Sequence, residues 1–120
     1  MKGQTAHLST LLYGTLLSLE KQVGFELTIT SGYRTPAHNV AVGGVLDSEH
    51  THSPADGADI LCKRGATRYK LVKAAFALGV TRIGIGEDFI HIGVSTMHPQ
   101  EVFWHYYPAR PPDPPTPRTA

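Results

Sequence analysis

The sequence predicts an α+β fold: a small single domain in which an antiparallel sheet carries its helices on one face. Two segments repeat apolar residues at helical spacing, and five short ones alternate or cluster them as strands do. A long stretch between the first strand and the second has neither period. At 120 residues and 41% hydrophobic composition, the chain has material for one core, burying roughly 60–70% of its unfolded surface.

Taken in order, Leu8, Leu11, Leu12, Leu16, Leu19 and Val23 form one stripe of a helix expected over residues 5–23, with Gly24 as its stop. Phe25, Leu27 and Ile29 then alternate with Glu26, Thr28 and Thr30, the pattern of a half-buried strand. Residues 31–57, punctuated by Gly32, Pro36, Gly43, Gly44, Pro54 and Gly57, read as a long functional loop. Residues 58–62 form a short apolar strand. Thr67 is placed to cap a helix running to about Leu78, with Leu71, Val72, Ala75 and Phe76 inward and Gly79 as its break. Strands are expected at 82–85 and 89–94, joined by a Gly86-Glu87-Asp88 turn, and at 102–107. Six of the nine prolines fall between 108 and 117. The domain is therefore expected to span 1–107, with 108–120 a disordered Pro-rich tail.

Composition excludes several classes of function. Net charge is +1 with no run of Lys or Arg, so the clustered cations that bind a nucleic acid are missing. No stretch of about 18 apolar residues is present to span a membrane. Cys62 is the single cysteine, which rules out an internal disulfide, and its apolar neighbours Ile60 and Leu61 suit a buried thiol rather than a nucleophile.

Histidine is the abundant chemical group, with seven in the chain. Ser48-Glu49-His50-Thr51-His52 precedes Asp59 at a strand start. His91 lies mid-strand opposite in facing to Ile90 and Ile92, and Glu87-Asp88 stand just before that strand. Two imidazoles and one carboxylate supply three ligands for a divalent ion and leave a fourth position to water, the donor set of a catalytic zinc site. His7, His38, His98 and His105 read as surface, loop, turn and packing residues.

Ser31-Gly32-Tyr33-Arg34-Thr35-Pro36, then Asn39, Val42-Gly43-Gly44-Val45 and Ser48-Glu49-His50, resembles the opening of the D-Ala-D-Ala carboxypeptidase family of zinc peptidases, most of all its small phage endolysin-like branch. Residues 82–86 and 89–92 are similar to its closing metal-ligand strand, and Gln100 to Trp104 with Tyr106 to the branch's end. The resemblance implies a hedgehog/D-Ala-D-Ala peptidase-like fold and one zinc ion. It also implies hydrolysis of peptidoglycan stem peptides, at D-Ala-D-Ala or at L-Ala-D-Glu. By position it implies His50, Asp59 and His91 as ligands, Asp88 as general base, Arg34 facing the substrate carbonyl or carboxylate, and Ser48 helping to hold the substrate.

Two departures from the family pattern bear on the site. His50 and Asp59 are two residues further apart than the family spacing, which His52 would restore at the cost of the Ser-x-His register, so both histidines stand as candidates for the first ligand. Gly93 occupies a position where the branch commonly carries an Asp, removing a hydrogen bond behind His91. The expected product is a monomeric enzyme, made in the cytoplasm without a signal peptide, that meets the cell wall at lysis or on a virion. A non-catalytic metal-stabilised wall-binding or phage structural module is the alternative.

Overall fold

The computed structural model describes residues 1–45, 47–63 and 65–106. Its elements in chain order are β1 (Lys2–Gly3), α1 (Thr10–Val23), β2 (Thr28–Ser31), α2 (Pro36–Ala41), a 3-10 turn (Glu49–Thr51), β3 (Gly57–Leu61), α3 (Gly65–Ala77), β4 (Arg82–Ile85), β5 (Phe89–Gly93) and β6 (Val102–His105). The expected tail at 108–120, and Tyr107 of the expected last strand, lie outside the described residues.

The α+β fold is as the sequence implies, but the sheet is mixed. Its order is β1-β2-β3-β5-β4-β6, antiparallel through the four inner strands and parallel at both edges. Connection accounts for each edge. β1 reaches β2 through α1, and a strand–helix–strand crossover between neighbours gives parallel pairing. β6 starts where β5 ends and lies on the far side of β4, so it runs against β5 and with β4.

Sheet parity divides the residues into two faces. Ile29, Ala58, Ile60, Ile83, Ile90 and Ile92 pack with Leu12, Leu16 and Leu19 of α1 and Leu71, Ala74 and Ala75 of α3 as one buried core. α1 begins later than its apolar stripe suggests, at the point where Ser9 Oγ accepts from Leu12 N at 3.1 Å. It ends at Gly24, whose φ of 80° places it in the left-handed region. Residues 7–9 are drawn instead into backbone pairing with Ala55. α3 begins before Thr67, and its end is closed by bonds from Gly79 N to Phe76 O and Val80 N to Ala75 O, the paired pattern of a Schellman stop. Leu11, Phe25 and Phe76, expected inward, are exposed; Phe76 lies against Phe103 at the outer edge, with ring centroids 6.1 Å apart.

The opposite face of the sheet is covered by residues 32–45 and 47–56, which are less irregular than expected. Thr35 caps α2 through its side chain and Pro36 takes the first helical position, a pair of signals suited to a helix start. That second face carries the chemistry.

Candidate metal centre

Antiparallel register sets Asp59 of β3 directly opposite His91 of β5, and both side chains point away from the isoleucine core. His50 comes from the 3-10 turn, which is fixed at its start by Ser48, whose Oγ accepts from His50 N at 3.1 Å. His50 Nδ1–H donates to the Gly32 carbonyl at 2.7 Å, and Arg34 N donates to the His50 carbonyl at 2.8 Å. The Ser-Gly-Tyr-Arg segment therefore grips this histidine from both sides. Gly32 is required there, because a Cβ would fall 2.4 Å from the Gln4 carbonyl oxygen.

The three side chains converge. His50 Nε2 lies 3.2 Å and His91 Nδ1 2.9 Å from the same oxygen, Asp59 Oδ1, and all three residues are buried. The outward nitrogen of each ring is already committed, His50 Nδ1 to Gly32 and His91 Nε2–H to Glu49 Oε1 at 2.9 Å. The remaining nitrogens, His50 Nε2 and His91 Nδ1, thus face one carboxylate oxygen out of water, where a cation must lie between them, a proton in the metal-free protein or a metal ion in its place. This donor set fits zinc. Burial alone would push the Asp59 carboxyl up, but its hydrogen bonds to His50 and His91 hold it well below the usual carboxylate range. Burial would likewise lower the His91 pKa, and the Asp59 and Glu49 carboxylates outweigh it, raising the pKa to about 9.

Three strand glycines make room around His91. Cβ atoms added at Gly57 and Gly93 would meet Glu49, and one at Gly84 would meet Trp104 and Tyr106. Glu49 fills the space above Gly93. Its Oε2 accepts from Ser95 N at 3.0 Å and lies 3.1 Å from Arg82 Nε, an ion pair without hydrogen-bond alignment. The support that Gly93 was expected to remove is therefore supplied from another part of the chain. Trp104 and Tyr106 close the other side of the His91 ring, with centroids 5.6 and 6.1 Å away. Sequence reasoning missed Glu49 and Arg82 as site residues. The available signal was glycine inside three strands, which marks close approach of another group.

A cleft of about 300 Å³ opens onto the centre, lined by Arg34, Ser48, His50, Asp59, Phe89 and Tyr106, with residues 42–45 as one wall. Arg34 Nη2 lies 3.5 Å from Asp59 Oδ2. The guanidinium is oriented by donation to Ser31 Oγ at 3.0 Å and to Asn39 Oδ1 at 3.2 Å. Burial pushes the Tyr106 phenol up to about 12, so it stays a neutral donor. His50, not His52, lies against Asp59 and His91. Asp88 is exposed in the turn before β5 and is not among the cleft-lining residues. Cys62 is buried, with its thiol pKa pushed up by burial, which suits a core thiol.

The Peptidase M15 family model matches residues 2–93, from β1 through the end of β5. The chain belongs to the Peptidase M15 family. M15 peptidases are zinc enzymes, and the buried His50, Asp59 and His91 of this M15 chain form a group able to hold such an ion. No curated protein and no solved structure matches the chain significantly. No helix among the described residues is long and apolar enough to cross a membrane.

Proposed function

We propose that this M15 domain hydrolyses peptide bonds in the stem peptides of bacterial peptidoglycan. The observation that carries the reading is the turning of two imidazole nitrogens onto Asp59 Oδ1 at the floor of a cleft that also presents Arg34. A zinc ion held by His50, Asp59 and His91 supplies Lewis acidity, which lowers the pKa of water to about 7 and polarises a carbonyl. Arg34 binds the carbonyl or carboxylate of the substrate and offsets negative charge as the tetrahedral intermediate forms. Ser48 holds the 3-10 turn and offers its hydroxyl to the substrate backbone, and the neutral Tyr106 phenol donates from the opposite wall. Asp88 takes the proton from the attacking water and returns it to the leaving amine. Its exposure in the free protein requires the 86–88 turn to bring it inward with substrate, a tightening common for acid–base groups. On this reading the protein acts on the cell wall, reached at lysis or on a virion.

That same exposure of Asp88 favours a second reading, in which the zinc-stabilised cleft holds a wall peptide without cutting it. Zinc analysis combined with digestion of purified wall fragments separates the two. Wild type should release stem-peptide products whose masses identify the bond, D-Ala-D-Ala or L-Ala-D-Glu. His91→Ala should lose both zinc and activity. Asp88→Asn should keep zinc and lose turnover by roughly 100-fold or more. Full activity in Asp88→Asn removes that residue from the role, and binding without any product supports the second reading.

A further inference from the structure

A second group of ligands stands apart from the buried centre. Asp47 and His52 flank the 3-10 turn that carries His50, and His98 lies in the turn after the strand that carries His91. The His52 and His98 rings face each other with centroids 5.2 Å apart and planes inclined by 31°. Each is anchored by Nδ1, His52 to Asp56 Oδ2 at 2.9 Å and His98 to Ser95 Oγ at 2.8 Å. Each turns Nε2 toward Asp47, whose carboxylate oxygens lie 3.9 Å from His52 and 3.2 Å from His98. His98 Nε2 is also 2.7 Å from the Asp47 backbone carbonyl oxygen.

We propose that Asp47, His52 and His98 form a second zinc site. Four features support it. One nitrogen, oxygen or carboxylate atom from each residue falls within 4.8 Å of the other two. The edge of a tetrahedron around zinc, with bonds of 2.0–2.1 Å, is about 3.3 Å, so the 3.2 and 3.9 Å separations need only a small side-chain adjustment. His52 Nδ1–H donates to Asp56, which leaves its Nε2 as a lone pair, the arrangement that orients a histidine ligand. His98 Nε2–H donates to the Asp47 carbonyl in the metal-free protein, and an ion takes the place of that proton once the ring carries its hydrogen on Nδ1, facing Ser95 Oγ. Both rings are partly buried while Asp47 is exposed, so an ion has a route in from solvent and water can complete its coordination. The consequence is structural. An ion here ties the segment preceding His50 to the segment following His91, and so braces the two elements that deliver ligands to the buried centre.

This proposal does not depend on peptide hydrolysis, and its test reads metal rather than turnover. The full chain is stripped with chelator, and zinc alone is titrated in by calorimetry, with bound metal measured after dialysis. Wild type should take up two equivalents. His52→Gln and His98→Gln should each retain one, with the affinity of the lost site reduced roughly 100-fold or more, beyond what losing an outer partner costs. His91→Ala should also retain one equivalent, and that one should disappear when His98→Gln is added. A single equivalent in wild type, or two in both His52→Gln and His98→Gln, overturns the proposal. Circular dichroism on each variant confirms that the fold is intact, and failure to cleave wall fragments leaves the stoichiometry test unaffected.

Discussion

A Cβ built at position 93 falls 2.1 Å from Glu49 Oε1, so one absent methyl group governs how His91 is held. Gly93→Ala must displace a carboxylate that simultaneously receives His91 Nε2–H, receives Ser95 N–H and pairs with Arg82. Overpacking of this kind costs about 1–3 kcal/mol, and chemical denaturation measures it. Glu49→Ala removes the obstruction, so the double variant Glu49→Ala/Gly93→Ala should be more stable than the sum of the two single losses predicts. Strict additivity would mean that Glu49 does not occupy that space in solution. Glu49→Gln keeps the shape and weakens the hold on His91, and zinc affinity measured against a chromophoric chelator should fall about 10–100-fold. None of this was readable from the motif alone, which marks Ser48 and His50 and passes over the residue between them. Gly93 read in sequence as a lost support; in three dimensions it is the space that an acid 44 positions earlier in the chain fills.

At the scale of elements, α2 connects the loop wall to substrate recognition. Asn39 is buried, accepts from Arg34 Nη1, and donates to the Val45 carbonyl at 2.6 Å. Gly44 must be glycine because a Cβ would meet the Asn39 amide at 2.1 Å. Asn39→Ala should therefore release Arg34 and the 42–45 wall together, raising KM for wall peptides roughly fivefold, the worth of about one hydrogen bond, with zinc content unchanged. Loss of zinc instead would show that α2 supports the metal rather than the substrate. On the core side, Leu16→Ala at a fully buried position of α1 should cost about 2–5 kcal/mol in denaturant unfolding. Long periodic segments were legible: α1, α3 and the inner strands lie where the apolar spacing puts them. Ends and edges were less so. The apolar stripe continued through Leu8, yet Ser9 offers a better cap and Ala55 takes residues 7–9 into pairing. Phe76 follows helical spacing but is exposed, lying against Phe103 at the sheet edge. β1 has two residues, too few for any period to show.

For the whole molecule, the two faces of one sheet separate stability from chemistry, and the ligand types were readable because chemistry limits them. Their meeting depended on register, which a sequence does not display until β3 and β5 are paired. The charge trapped at that meeting point makes metal binding and folding respond oppositely to pH. In the metal-free protein the His91 pKa, raised to about 9 by Asp59 and Glu49, exceeds the value of about 6.5 in the unfolded chain. Its protonation therefore stabilises the fold fully below about pH 6.5, and that contribution is lost as pH rises through about 9. Zinc must displace the Nδ1 proton, so its affinity should rise by about tenfold per pH unit from 7 and level off near 9. Because a ligand bound only to the native state stabilises it by RT ln(1 + [L]/Kd), the gap in Tm between zinc-loaded and chelator-treated protein should widen steadily from pH 7 to 9 at fixed free zinc. In Glu49→Gln, where one of the two carboxylates that raise the His91 pKa is neutral, the gap should stop widening at a lower pH. A gap that stays constant across this range in the wild-type protein would show that His91 does not carry the competing proton, and that the cation required by the buried cluster is not met at its Nδ1.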